Sequence, residues 1–268
     1  MKNYPGISQN RLKNYSKLLQ KKYRQSERRF LVEGMNIVQE AINSDWDVES
    51  IVFCLDSDVN EKQIENLEKR KSGKKVEVMA ASPKDFEKLS DTVTSQGIIA
   101  VVRMKNILLE SILEKPSKHS IIVALDNVTD PGNVGTIIRT CDWFGVDGVL
   151  LGEGTVELYN PKVVRSTMGG IFHIPIVTDV NLVSSIHDLR KKNFKVITTV
   201  LKGGTLLNKF SFKDRNFIVL GNEAHGVSAE IEKLSDETIT IPKFGLSESL
   251  NVAIACGIIL NTAKTFNL

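Results

Sequence analysis

The sequence predicts an α/β protein of two successive units, and three observations carry that prediction. Between 118 and 268, short apolar runs alternate with amphipathic stretches, the rhythm of a parallel sheet with crossover helices. Between 1 and 105 a second, smaller strand–helix rhythm runs its own course. Between them, residues 106–117 form a linker whose polar Glu114-Lys-Pro-Ser stretch breaks both patterns.

In the first unit, residues 11–43 read as helices, because Leu12, Tyr15, Leu18 and Leu19 recur at helical spacing. Residues 50–55 (Ser-Ile-Val-Phe-Cys-Leu) are a short apolar run and read as a strand. Residues 62–71 read as a charged helix, and 75–80 alternate as a strand does. Ser82 followed by Pro83 is a helix opening, with a capping hydroxyl and a proline at the first position. Residues 97–103 close the unit with a further strand. In the second unit, strands are expected at 120–125, 148–151, 195–200, 217–220 and 238–241. Helices are expected near 134–144, 161–169, 181–192, 227–234 and 250–265.

Composition narrows the class. The chain has 268 residues, 41% hydrophobic, which is enough apolar surface for a real core and excludes a disordered chain. Cys54, Cys141 and Cys256 are odd in number and far apart, so neither a disulfide framework nor a CxxC zinc site is expected. A reducing, cytoplasmic compartment follows. The N-terminal residues lack the apolar core of a signal peptide. The longest nearly apolar stretch, 252–260, is far short of the roughly 20 residues of a membrane helix. The histidines (His119, His173, His187, His225) show no ligand spacing, so no metal is expected. The net charge of +3 hides a contrast. Residues 1–34 hold nine Lys/Arg, including Arg28 and Arg29, against Glu27 and Glu33, a net +7. The remainder is therefore −4, and a basic arm of this kind suits a polyanion.

Three segments of the second unit place unusual polar residues at the ends of expected strands, where open α/β sheets bind ligands. In 125–141, a strand leaves through a Pro131-Gly132 turn into a helix, with Asn133 at its start and Arg139 about two turns in. Capping by Asn133 and a solvated Arg139 would be the plain structural account. In 217–227, a strand runs into a loop bracketed by Gly221 and Gly226, with Glu223 at the strand's end. Gly221 would let a ligand approach the backbone closely. In 239–260, Ser249 and Asn251 stand at the entry to a helix of small residues; Ser247 or Ser249 is the expected cap.

Taken together, "DPGNVGTIIRT", "VLGNEAHGV" and "IPKFGLSESLNVAIACGIIL" resemble the SpoU/TrmH family of RNA ribose 2′-O-methyltransferases, within the SPOUT superfamily. "NPKVVRSTMGGIFHIPI" (160–176) resembles the family segment that follows the first motif. The resemblance is strong over 118–268. Residues 1–105, mainly through "FLVEG" (30–34), are similar to the small ribosomal-protein-like substrate-binding domain that precedes the catalytic domain in many members. A dinucleotide-binding enzyme of Rossmann type is not indicated, since no GxGxxG follows an early strand.

The resemblance implies a SPOUT-type parallel sheet with a deep trefoil knot spanning roughly 218–268. Threaded chains are otherwise nearly absent from proteins, so periodicity does not suggest one. It also implies S-adenosylmethionine as cofactor, with Gly221, Ile241 and Leu250 at contacting positions, and a homodimer whose site draws on both subunits. Asn133, Arg139, Glu223, Ser249 and Asn251 match the catalytic set. Arginine is almost always protonated, so Arg139 is expected to align the target phosphate or hydroxyl. Arg165 matches a position contacting RNA phosphate; Arg28 and Arg29 add to that surface. The expected substrate is ribosomal RNA, with tRNA, or a non-catalytic RNA-binding or ribosome-assembly role, as alternatives.

Overall fold

The structure, a computed structural model, describes residues 4–68, 76–114 and 119–265. Its strands are β1 (Arg29–Glu33), β2 (Val48–Cys54), β3 (Glu77–Ala81), β4 (Ile98–Arg103), β5 (Ser120–Asp126), β6 (Gly148–Gly152), β7 (Ile176–Val180), β8 (Lys195–Thr199), β9 (Thr205–Leu206), β10 (Arg215–Gly221) and β11 (Glu237–Thr240). The α-helices of the first half are α1 (Gln9–Lys17), α2 (Lys21–Glu27), α3 (Met35–Asn43), α4 (Glu61–Glu68), α5 (Pro83–Phe86) and α6 (Leu109–Leu113). Those of the second half are α7 (Pro131–Trp143), α8 (Pro161–Ser166), α9 (Leu182–Lys191), α10 (Ala229–Lys233) and α11 (Val252–Thr265). The far ends of the expected 62–71 helix and of the 106–117 linker lie outside the described residues.

The chain divides into two compact units, residues 1–105 with 159–172, and residues 106–158 with 173–268. This differs from the expected division in two places. Residues 109–113 are helix α6 rather than linker, because Ile112 is buried in the core of the second unit. A Cβ on Gly148 would come within 2.7 Å of Ile112 Cδ1, so the bare glycine of β6 seats that side chain. The second difference is that 159–172 packs with the first unit.

The first unit holds a four-stranded sheet of order β1-β4-β2-β3. β4 is antiparallel to both β1 and β2, while β2 and β3 are parallel. Leu12, Tyr15 and Leu18 pack with Leu31, Val52, Met79, Ile99 and Val101 on one face. Phe30 lies on β1 against Tyr159, with ring centroids 4.7 Å apart, and Trp46 meets Phe172 at 5.4 Å. Residues 11–43 are therefore not all helical. α2 ends at Arg28, which adopts the left-handed conformation (φ 55°), and the chain then enters β1. Phe30, Leu31 and Val32 are all buried. A short run covered on both faces carries no period-2 signal and cannot be told from buried helix.

The second unit holds a seven-stranded sheet of order β7-β6-β5-β10-β8-β11-β9, and every pairing is parallel. β5 is buried along its whole length and β10 over nearly all of it, so they read as continuous apolar runs. β7 and β9 escaped the sequence reading because they sit at the sheet edges, half-exposed and polar or only two residues long. β10, late in sequence, inserts beside β5, with Leu125 opposite Leu220 and Asp126 opposite Gly221. The carboxyl ends of these strands thus bring residues near 126 and 221 together. α7 and α11 pack against each other, with Cys141 and Cys256 buried side by side. Burial pushes the Cys141 thiol well up from its ordinary range, and the neighbouring Cys256 adds to the effect.

Candidate active site

The site grows from the ends of β5 and β10. β5 finishes at Asp126, nearly buried, whose carboxylate accepts the Ser228 N–H at 2.7 Å. Asn127 follows in the left-handed conformation (φ 56°), and its carbonyl accepts the Asn222 side-chain amide at 2.8 Å. These contacts tie the loop after β10 to the end of β5. Gly221 has a different reason from the one expected. A Cβ there would lie 2.1 Å from backbone atoms of Gly226 and Val227, so the space beside it is filled by the protein's own loop. That loop is closed by two backbone hydrogen bonds between Asn222 and Gly226, of 3.0 and 2.8 Å. The Asn222 side-chain oxygen accepts the N–H groups of Ala224 and His225. The Asn222 side chain thus organises the turn from within, and Glu223 is exposed on it.

α7 is capped by Asp130, which accepts the Asn133 backbone N–H at 2.8 Å, with Pro131 at the first helical position. Asn133 is therefore not the cap, and its amide is free for other work. It donates to Glu223 Oε1 at 2.6 Å. Its own oxygen accepts the Asn251 side-chain N–H at 2.9 Å. The Asn251 oxygen accepts the backbone N–H groups of Ala253 and Ile254, so Asn251, not Ser247 or Ser249, caps α11. The result is one polar chain, Glu223 to Asn133 to Asn251 to the start of α11, joining residues 90 and 118 positions apart. It fixes which way both asparagine amides face.

Arg139 is exposed on α7, outside this polar chain. Ser249 is exposed, and its carbonyl accepts the Ser247 hydroxyl at 3.0 Å. Of the positions matching cofactor contacts, Gly221 is buried, Ile241 half-buried and Leu250 44% exposed. The loop between β11 and α11 also bares Phe244 and Leu246 almost completely. Amides, a carboxylate and exposed apolar side chains are the elements from which a small-molecule site is built. Among the supporting residues, Asp126 and Asn127 were not visible in sequence because their contacts, to Ser228 and Asn222, depend on the pairing of distant strands, whereas Asp130 and Asn222 act through local cap and turn geometry.

In the first unit the expected basic residues separate. Arg24 is buried and donates to the Leu18 and Leu19 carbonyls at the end of α1, a structural role. Arg11 pairs with Glu77 at 2.6 Å. Arg29 is held between Glu27 and Glu49, and Arg165 pairs with Asp91 at 3.0 Å. Arg28, Lys13, Lys21 and Lys22 remain exposed, and Lys17 and Lys22 both lie over the Tyr23 ring.

One unit is thus a parallel α/β sheet with a polar hydrogen-bonded cluster at the carboxyl ends of its central strands, the class of architecture that binds ligands there, and the other bears exposed basic side chains on its first helices. The comparisons narrow this class. Residues 120–261 match the SpoU rRNA Methylase family, and residues 9–100 match the MRM3-like substrate binding domain. A 23S rRNA (guanosine(2553)-2′-O)-methyltransferase, RlmP of Bacillus subtilis, is 34% identical over 97% of this chain and 98% of its own. The SpoU methyltransferase AviRb from Streptomyces viridochromogenes, solved in complex with AdoMet, superposes with a TM-score of 0.86 at 26% identity, covering 97% of this chain and 98% of that one. An AdoMet-bound rRNA methyltransferase from Sinorhizobium meliloti gives a TM-score of 0.83 at 27% identity, covering 98% and 97%. The chain belongs to the SpoU rRNA methylase family.

Proposed function

We propose that this protein transfers the methyl group of S-adenosylmethionine to a ribose 2′-hydroxyl of ribosomal RNA, most specifically of 23S rRNA, at the Glu223–Asn133–Asn251 cluster. The observation that carries the site is the hydrogen-bonded chain linking three segments that the fold alone has no need to join. The substrate follows the named activity of the Bacillus subtilis relative.

When bound, the cofactor would supply an electrophilic methyl on sulfur; Ile241, Leu250 and the backbone at Gly221 are the groups that would hold it. The protein's own task is to orient a weak nucleophile and remove its proton. Arg139, cationic and exposed, aligns the phosphate or the hydroxyl of the target nucleotide. Glu223 takes one donor from Asn133 and keeps its other lone pairs for a ligand. Ser249 and Asn251 complete the polar frame. Lys13, Lys21, Lys22 and Arg28 contact RNA phosphates from the first unit.

The active form is a homodimer working in the cytoplasm. Trp143 (85% exposed), Ile254 (55%) and Ile258 (39%) lie on the mutually packed α7 and α11. Large apolar side chains left bare on two adjoining helices are the mark of a surface covered in an assembly. Sedimentation of the wild type as a dimer, and of Ile254→Asp as a monomer, checks this. Among the described residues no helix is long and apolar enough to cross a membrane.

The decisive experiment incubates the protein with tritiated S-adenosylmethionine and rRNA from a strain lacking the gene, then maps the label. A single labelled ribose in 23S rRNA is expected. Arg139→Ala abolishes labelling while the protein stays folded. Cofactor binding without any labelled RNA would establish the non-catalytic RNA-binding alternative instead.

A further inference from the structure

The first unit contains a hollow of about 180 Å³ that the cluster above does not use. It is smaller than the roughly 300–1,000 Å³ of a site for a whole cofactor. Its floor is the start of α3, with Asn36 exposed and Ile37 buried. One wall is the loop after α5, with Thr94 and Gln96, and the other is the turn after α8, with Arg165 and Met168.

Electrostatics decides what this hollow can hold. Glu33 lies in its lining, and its carboxylate accepts the hydroxyls of Ser90, Thr92 and Ser95 at 2.6–2.7 Å and the Asp91 N–H at 3.2 Å. Arg165 is neutralised by Asp91 at 3.0 Å. Two carboxylates stand against one guanidinium, so the hollow repels a phosphate. It offers hydrogen bonds to a neutral group instead. The Gln96 oxygen is taken by the Met35 N–H at 2.8 Å, which leaves its amide N–H groups as donors, and Asn36 and Thr94 add both polarities.

The end of α8 adds an apolar face at the same place. Met168 is a non-glycine residue in the left-handed region (φ 50°) and 46% exposed. Gly169 follows at φ 104°, pressed so close to Glu40 that a Cβ would lie 2.7 Å from its side chain. The left-handed turn ends α8 in the ordinary way of a helix C-terminus and leaves the Met168 thioether displayed at the polar hollow. A guanidinium plane, fixed by its carboxylate, and a thioether are both faces on which a flat ring stacks.

We propose that this hollow reads one unpaired base of the RNA substrate, stacked against Arg165 and Met168 with its edge on Asn36, Thr94 and Gln96. Arg165 thereby serves a base rather than a phosphate. The proposal rests on the reading of the protein as acting on RNA. It is tested by binding, separately from methyl transfer.

The probes are an in vitro transcript of 23S rRNA and a fully duplexed RNA, measured over a salt series. Met168→Ala and Asn36→Ala each weaken transcript binding about tenfold, the scale of one lost base stack. Their salt slope and duplex binding stay at the wild-type values, and Met168→Leu restores affinity. Unchanged transcript binding in both variants overturns the proposal. So does a loss that flattens the salt slope, which would make the hollow a phosphate site, and so does a wild type that binds no transcript. Intact binding without methyl transfer would fall on the enzymatic reading and leave the base pocket standing.

Discussion

Two glutamates, one in each unit, sit in polar clusters and are opposite in every physical respect. Glu33 is 8% exposed and receives four hydrogen bonds from a single loop. Burial alone would raise its carboxyl, but the hydroxyls of Ser90, Thr92 and Ser95 and the Asp91 N–H hold it below the usual carboxylate range. Glu223 is exposed and receives Asn133 alone among the described residues. The first carboxylate is satisfied, so removing it costs stability. The second accepts Asn133 alone among the described residues, so on the proposed reading its removal costs function rather than stability. The comparison teaches that a buried carboxylate with its acceptor sites filled serves the fold, while one with acceptor sites left open is available to a ligand.

Substitutions separate these two roles. The largest effect is expected at Glu223. Glu223→Ala lowers methyl transfer about 10²–10³-fold, the scale of one lost positioning group. Its melting transition stays within about 0.5 kcal/mol of wild type. Transfer at the wild-type rate would remove Glu223 from the site. Next comes Glu33→Ala, which strands three hydroxyls and an N–H and destabilises by about 3 kcal/mol in denaturant titration. A loss below about 0.5 kcal/mol would mean the network is ornamental.

Acid makes a finer test of the same contrast. The folded carboxyl of Glu33 lies below its unfolded value of about 4.3. Its contribution to stability is therefore present above that value and is lost as pH falls through the folded pKa. Wild type should lose more stability than Glu33→Gln between about pH 5 and about pH 3, and parallel curves would refute the assignment. The smallest effect per residue lies on the basic surface. Replacing Lys13, Lys21 and Lys22 by Ala should lower the slope of log affinity for RNA against log salt by roughly 2–3, and leave cofactor affinity unchanged. Point changes are required here. Removing residues 1–34 would take out α1, β1 and the buried Leu12, Tyr15, Leu18 and Phe30 with the charges.

Legibility in the sequence followed burial. β5, β10 and β6 are short apolar runs closed by turns, and they were found within a residue or two. β1 was lost because Leu31 faces the α1 layer while Phe30 faces Tyr159, which erases its alternation. The segment 159–172 could not be assigned to the first unit from sequence, since its aromatic partners lie more than a hundred residues earlier. Asn133, Glu223 and Asn251 were singled out through the family's motifs, and only the structure shows them bonded in series. The roles of Asp130 and Asn222 are set by local backbone geometry at loop ends, which no periodicity reports. Arg165 is expected from the motif at an RNA phosphate, and its pairing with Asp91, 74 residues away, is not legible in sequence.

Asn251 binds Asn133 with one end of its amide and begins α11 with the other. This has a consequence for the order of events during synthesis. Asn133 and Glu223 both precede Asn251 in the chain, so the cluster stays open until this third side chain has been made. α11 cannot start in this form without closing the cluster, nor the cluster close without the helix start. The helix start and the polar cluster therefore form in one event, so a lesion at Asn251 is felt at both together: α11 loses its cap and Asn133 loses its donor.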